Sequence, residues 1–125
     1  MVSTVLIIED EENIASLIKD RLDDMGYVTS VAYTGKEAAA RLREKKPDLI
    51  TLDIYLPDAN GLSILKDLKK DPETDRIPVV IISSSNEEHD AMELGAVKFV
   101  NKPINFPKLF EVIEKVSDGA IKEQV

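Results

Sequence analysis

The chain has 125 residues, 43% hydrophobic and 32% charged, with 24 acidic against 16 basic side chains and a formal net charge of −8. This is the profile of a single folded, soluble domain, long enough to bury roughly 65–70% of its unfolded surface, and not of a disordered segment. The acidic balance argues against direct nucleic-acid binding, and the lack of cysteine excludes disulfides and thiolate metal sites. No apolar run approaches the ~20 residues of a membrane span, and the N-terminus lacks the regions of a signal peptide. A cytoplasmic location fits all of this.

In chain order, Val5 to Ile8 is a short apolar run that ends in Glu9-Asp10 and reads as a buried strand. Ile14, Leu17, Ile18, Leu22 and Met25 then form an amphipathic helical stripe closed by Gly26. Tyr27 to Val31 supplies a second strand. Thr34-x-x-Glu37 is a capping box that opens a second helix, with Ala38, Ala39 and Leu42 inward, and that helix must end before Pro47. Leu49 to Leu52 is a third strand ending in Asp53. Leu62, Leu65 and Leu68 mark a helix after Gly61, stopped by Asp71-Pro72.

Val79 to Ile82 ends in Ser83, and a short helix from Glu87 to Leu94 is closed by Gly95. Val97 to Asn101 leads into Lys102-Pro103. Asn105 caps a last helix with Pro107 in its first turn and Leu109, Phe110, Val112, Ile113 and Val116 on its buried side. Strand and helix thus alternate five times, which implies a doubly wound α/β fold with a parallel sheet between two helical layers. Residues 1–125 are expected to form one domain, with about 117–125 a polar tail or the start of a linker.

If the strands are parallel, their carboxyl ends share one edge, where open α/β sheets bind ligands. Glu9, Asp10, Asp53, Ser83 and Lys102 would then converge on one crevice. Adjacent carboxylates repel when desolvated, and a hard divalent cation such as Mg²⁺ relieves the repulsion. By itself, Glu9-Asp10 is better read as a solvated helix start; Asp53 at the end of another strand reverses those odds. Asp53 is a candidate carboxylate nucleophile for phosphoryl transfer, its charge offset by the cation and a nearby lysine. The Ser83 hydroxyl is able to donate to a phosphoryl oxygen, and a cis Lys102-Pro103 bond would turn the lysine into the crevice. Phe99, a lone aromatic in a strand, reads first as core. His89 reads as a surface residue, and the three methionines read as core filler.

These residues resemble the receiver domain of bacterial two-component response regulators, over Val5 to about Val116. The likeness is carried by Glu9-Asp10, Asp53-x-x-Leu56-Pro57-x-x-x-Gly61, Pro78 leading to Ser83, Gly95-Ala96, Phe99 and Lys102-Pro103. The resemblance implies a five-stranded flavodoxin-like sandwich with strand order 2-1-3-4-5. It implies that Asp53 accepts a phosphoryl group from a histidine kinase or phosphotransfer protein. Asp10, Asp53 and the Tyr55 carbonyl would bind Mg²⁺, with Glu9 direct or through water, and Ser83 and Lys102 would hold phosphoryl oxygens. Ser83 and Phe99 would form the switch toward an output partner or fused effector. Such a protein is a signalling receiver, not a turnover enzyme; it carries out only self-phosphorylation and autodephosphorylation.

Three features depart from the family pattern. Ser83 stands where threonine is usual, Phe99 lacks a hydroxyl, and the Ser83–Gly95 segment is short by about three residues, close to one helical turn. Two rivals share parts of the pattern. A flavodoxin-like FMN protein would need a Ser/Thr/Gly phosphate loop where Glu9 to Glu12 stand. A Mg²⁺-dependent aspartyl phosphatase usually has a second acid where Tyr55 stands.

Overall fold

The computed structural model describes residues 2–119. Five strands, β1 (Thr4–Ile8), β2 (Val28–Ala32), β3 (Leu49–Leu52), β4 (Val79–Ser83) and β5 (Lys98–Asn101), form one parallel sheet in the order β2-β1-β3-β4-β5. Between and after them lie α1 (Glu12–Asp24), α2 (Gly35–Glu44), α3 (Gly61–Lys70), α4 (Glu88–Glu93) and α5 (Phe106–Ser117).

Successive strand residues face opposite sides of a sheet, and the core divides accordingly. Val5, Ile7, Leu49, Val80 and Ile82 pack with Ala15, Ile18 and Leu22 of α1 and with the apolar face of α5. Leu6, Ile8, Ile50, Leu52 and Ile81 pack on the other side with Ala38 of α2, Leu65 and Leu68 of α3, and Ala91 of α4. The two central strands β3 and β4 are buried along their whole length, and β1 from Val5 onward, as a sheet covered on both faces requires. The resulting three-layer sandwich has the two helical layers expected from the strand-helix alternation and the flavodoxin-like strand order that the family resemblance implies.

Local expectations met several corrections. The second strand is displaced by one residue, because Tyr27 N still donates to Leu22 O in the turn that ends α1, and Ala32 instead pairs with Ile8. Leu17 is 54% exposed; the inward positions of α1 are Ala15, Ile18 and Leu22. Ala39 is exposed as well, since the buried stripe of α2 runs through Ala38 toward the half-buried Leu42. The capping box is only partly reciprocal: Thr34 Oγ1 accepts from Glu37 N at 3.0 Å, but Glu37 Oε1 accepts from Tyr33 N, one residue earlier than the cap. The tail expected over 117–125 lies outside the described residues from 120 onward.

Candidate functional site

The strand ends are brought level by the register. Ile8 pairs with Leu52, and Ser83 pairs with Asn101. One further hydrogen bond continues each ladder: Asp53 N donates to Ile8 O at 3.0 Å and Lys102 N to Ser83 O at 2.9 Å. Glu9 and Asp53 therefore stand side by side where the strand order reverses, the place at which such sheets bind ligands.

Glu9 and Asp53 are almost fully enclosed, at 2% and 5% exposure. A buried carboxylate needs a partner, and Lys102 supplies it. Its Nζ lies 3.0 Å from Asp53 Oδ2, 3.0 Å from Glu9 Oε1 and 3.4 Å from Glu11 Oε1. The Lys102-Pro103 peptide is cis. Burial pushes Glu9 up to about 7, against the bond from Lys102 and with the Asp53 charge adding to the rise. Burial alone would lower the Lys102 ammonium, but its bonds to Glu9 and Asp53 outweigh that and hold it above an ordinary lysine.

Oxygen atoms of Glu9, Asp10 and Asp53 lie within 4.8 Å of one another. Three carboxylates so close form a hard, anionic donor set suited to a divalent cation such as Mg²⁺. The loop after Asp53 is closely folded: Tyr55 N donates to Asp53 Oδ1 at 3.3 Å, and Tyr55 pairs with Asn60 across an isolated antiparallel bridge. Gly61 is required here, because a Cβ would overlap the Asp53 carbonyl oxygen and stand 2.7 Å from Ile54 Cα.

Ser83 ends β4 fully buried, its hydroxyl accepting from Ser85 N at 3.3 Å. Phe99 is turned inward at 7% exposure and packs in the core cluster that contains Leu52, Ile81 and Ala91. The Tyr55 side chain is open to solvent. His89 is on the surface, paired with Glu93 at 3.0 Å. The structure thus gathers Glu9, Asp10, Asp53 and Lys102 directly, with Ser83 one strand away. Sequence reasoning missed Glu11 as a third acid on Lys102; its place in the Glu9–Glu12 run was the available signal.

A family model of the response regulator receiver domain matches residues 5–114, and the chain belongs to that family of two-component signalling proteins. It is 36% identical over 117 residues to the polar-differentiation response regulator DivK of Brucella ovis, covering 91% of this chain and 95% of DivK. It is 33% identical over 112 residues to the phosphate regulon transcriptional regulatory protein PhoB of Rhizobium meliloti. That match covers 87% of this chain but only 49% of PhoB, so the chain spans about half of that regulator. Among solved structures, the receiver domain of Francisella response regulator 1452 superposes with a TM-score of 0.85 at 29% identity, covering 94% of this chain and 98% of that one. No helix among the described residues is long and apolar enough to cross a membrane.

Proposed function

We propose that Asp53 accepts a phosphoryl group from the phosphohistidine of a sensor kinase or phosphotransfer protein, with Mg²⁺ as cofactor, in the cytoplasm. One Asp53 carboxylate oxygen attacks phosphorus, a P–O bond forms, and the P–N bond breaks with its electron pair returning to the imidazole. The observation that carries this reading is the meeting of Asp53 with Glu9 and Asp10 within 4.8 Å, under a lysine 3.0 Å away.

Asp10, Asp53 and the Tyr55 carbonyl would hold the cation, with Glu9 bound directly or through water. When bound, the cation offsets the charge that builds on the phosphoryl oxygens. Lys102 stands ready to exchange its carboxylate partners for a phosphoryl oxygen, and the Ser83 hydroxyl to donate to another. With Ser83 drawn toward the phosphate and Phe99 held inward, the α4–β5–α5 face becomes the output surface for a partner or effector.

Incubation with acetyl phosphate or phosphoramidate, followed by mass mapping, tests this. A mass increase confined to Asp53 and abolished by chelator is expected. Equal labelling of Asp53→Asn would remove the claim.

A further inference from the structure

The first amides of a helix have no partner within it. In α2 the local cap, Thr34, takes the amide of Glu37. The two amides before it are taken from another part of the chain. Asp58 Oδ1 accepts from Gly35 N at 2.7 Å, and Asp58 Oδ2 accepts from Lys36 N at 3.0 Å. These bonds, Gly35 first, hold the Asp58 carboxyl below the usual carboxylate range. Backbone and side chain are also in close approach: a Cβ on Gly35 would stand 2.8 Å from Ala59 Cβ and 3.3 Å from Asp58 Oδ1.

Asp58 lies at the tip of the loop that begins with Asp53. At the base of that loop Gly61 N donates to Ile54 O at 2.6 Å, and within it Leu56 N donates to Ala59 O at 3.2 Å. The loop is a small hairpin anchored at its base by Gly61 and docked at its tip on α2. Between the two anchors sits Tyr55, a residue 55% exposed, whose side chain therefore gives its main chain little hold by packing.

We infer that Asp58 is a positioning residue for the metal site: docked on the start of α2, it holds the loop so that the Tyr55 carbonyl stands as a ligand. The inference rests on the proposed Mg²⁺-dependent phosphorylation of Asp53. A carbonyl ligand cannot be steered by its own side chain, so the path of the loop sets its position. Groups behind a metal's direct ligands commonly change affinity by about 10- to 100-fold. An anchor several residues from the ligand acts at the low end of that scale or below it.

The rival role is a helix cap with no bearing on the metal, and Thr34 provides the control. Thr34→Ala weakens the same helix end without touching the loop. Mg²⁺ dissociation constants of the full chain, by calorimetric or NMR titration, and its thermal stability decide between them for wild type, Asp58→Ala, Asp58→Asn and Thr34→Ala. Asp58→Ala is expected to bind Mg²⁺ about three- to tenfold more weakly, and Asp58→Asn, which keeps one acceptor oxygen, to recover part of the loss. Thr34→Ala is expected to lose stability while keeping wild-type affinity. Should Asp58→Ala fail to fold, Asp58→Asn decides. Unchanged affinity in the Asp58 variants, or an equal loss in Thr34→Ala, overturns the inference. A wild type that binds no Mg²⁺, or is labelled elsewhere than Asp53, overturns the phosphorylation reading instead.

Discussion

Lys102, from the end of β5, places its ammonium 3.0 Å from the Oδ2 atom of Asp53, across the carboxyl edge of the sheet. The same nitrogen also holds Glu9, so one cation is shared between two enclosed acids. Lys102→Ala should therefore leave Mg²⁺ binding intact or tighten it, by about five- to tenfold, because a positive charge beside the carboxylates is lost. Labelling by phosphoramidate should slow by about 100-fold, since a donor to the developing phosphoryl charge is gone. Metal titration and labelling kinetics on the folded variant check both. Clearly weaker Mg²⁺ binding would contradict the placement of Lys102 in the metal's electrostatic field.

Two glycines differ in why they are glycine, and their alanine variants should differ in cost. At Gly61 a Cβ meets Asp53 and Ile54 backbone, which cannot move aside without disturbing Asp53, the proposed phosphoacceptor. Gly61→Ala is expected to cost about 2–4 kcal/mol and to impair labelling of Asp53. Gly26 has φ +96 but nothing within 4 Å of where a Cβ would stand, so only backbone strain opposes alanine there. Gly26→Ala should cost about 1 kcal/mol and leave labelling unchanged. Denaturant titration of both variants gives the comparison.

The fold was legible because its signals are local. Each inner strand is mostly Val, Ile and Leu (β3 with the buried Thr51 among them) and is followed or ended by a polar residue, and each long helix carries its own stripe. The errors came where two rules share the same residues. Leu17 satisfies helical spacing beside Ile14 and Ile18, yet the helix buries only the narrower Ala15–Ile18–Leu22 line. The acidic pair, Asp53 and Lys102 were legible as a site because every one follows an apolar strand. Asp58 and Asp48 were not, because a carboxylate in a turn looks the same whether it is solvated or bonded to a segment 22 to 45 residues away.

Asp48 gives a pH prediction. Its Oδ2 accepts from Ser3 N, Ser3 Oγ, Thr4 N and Thr4 Oγ1 at 3.0 to 3.1 Å, fastening the start of β1 beside β3. The Ser3 amide first, then Thr4 and the hydroxyls, hold its carboxyl down at about 2 against a smaller opposing desolvation. A pKa depressed in the folded state means the stabilisation is present above the unfolded value, near 4, and is lost as pH falls toward 2. The full shift would correspond to about 2.5 kcal/mol, but solvent screening at this open position reduces the expectation to about 1 kcal/mol. Stability of wild type minus Asp48→Asn, measured from pH 6 to pH 2, should narrow by that amount below about pH 4. A difference independent of pH would assign the effect to lost hydrogen bonds alone.

The last prediction concerns how phosphorylation would leave the site. Phe99 is already inward, while Ser83 is occupied with the Ser85 amide and not with Asp53. In the proposed switch the aromatic half would then need no further movement, and the hydroxyl half would have to leave the Ser85 amide for the phosphoryl group. Shifting a two-state equilibrium from 1:99 to 99:1 takes about 5.5 kcal/mol of differential affinity, which the phosphoryl group and its cation would have to supply. Beryllofluoride with Mg²⁺ should move the amides of Ser83 to Ser85 most, then those of Lys98–Asn101 and Phe106–Ser117, while the Phe99 ring stays enclosed. The six-residue α4 offers less surface and should contribute less. Phe99→Leu, which leaves part of the ring's site unfilled, should bind the phosphoryl mimic yet transmit weaker changes to α5. Amide shifts followed by NMR separate these cases. Changes confined to the loops around Asp53, with β5 and α5 silent, would show that Ser83 and Phe99 do not carry the signal, and the Asp53 chemistry would stand without them.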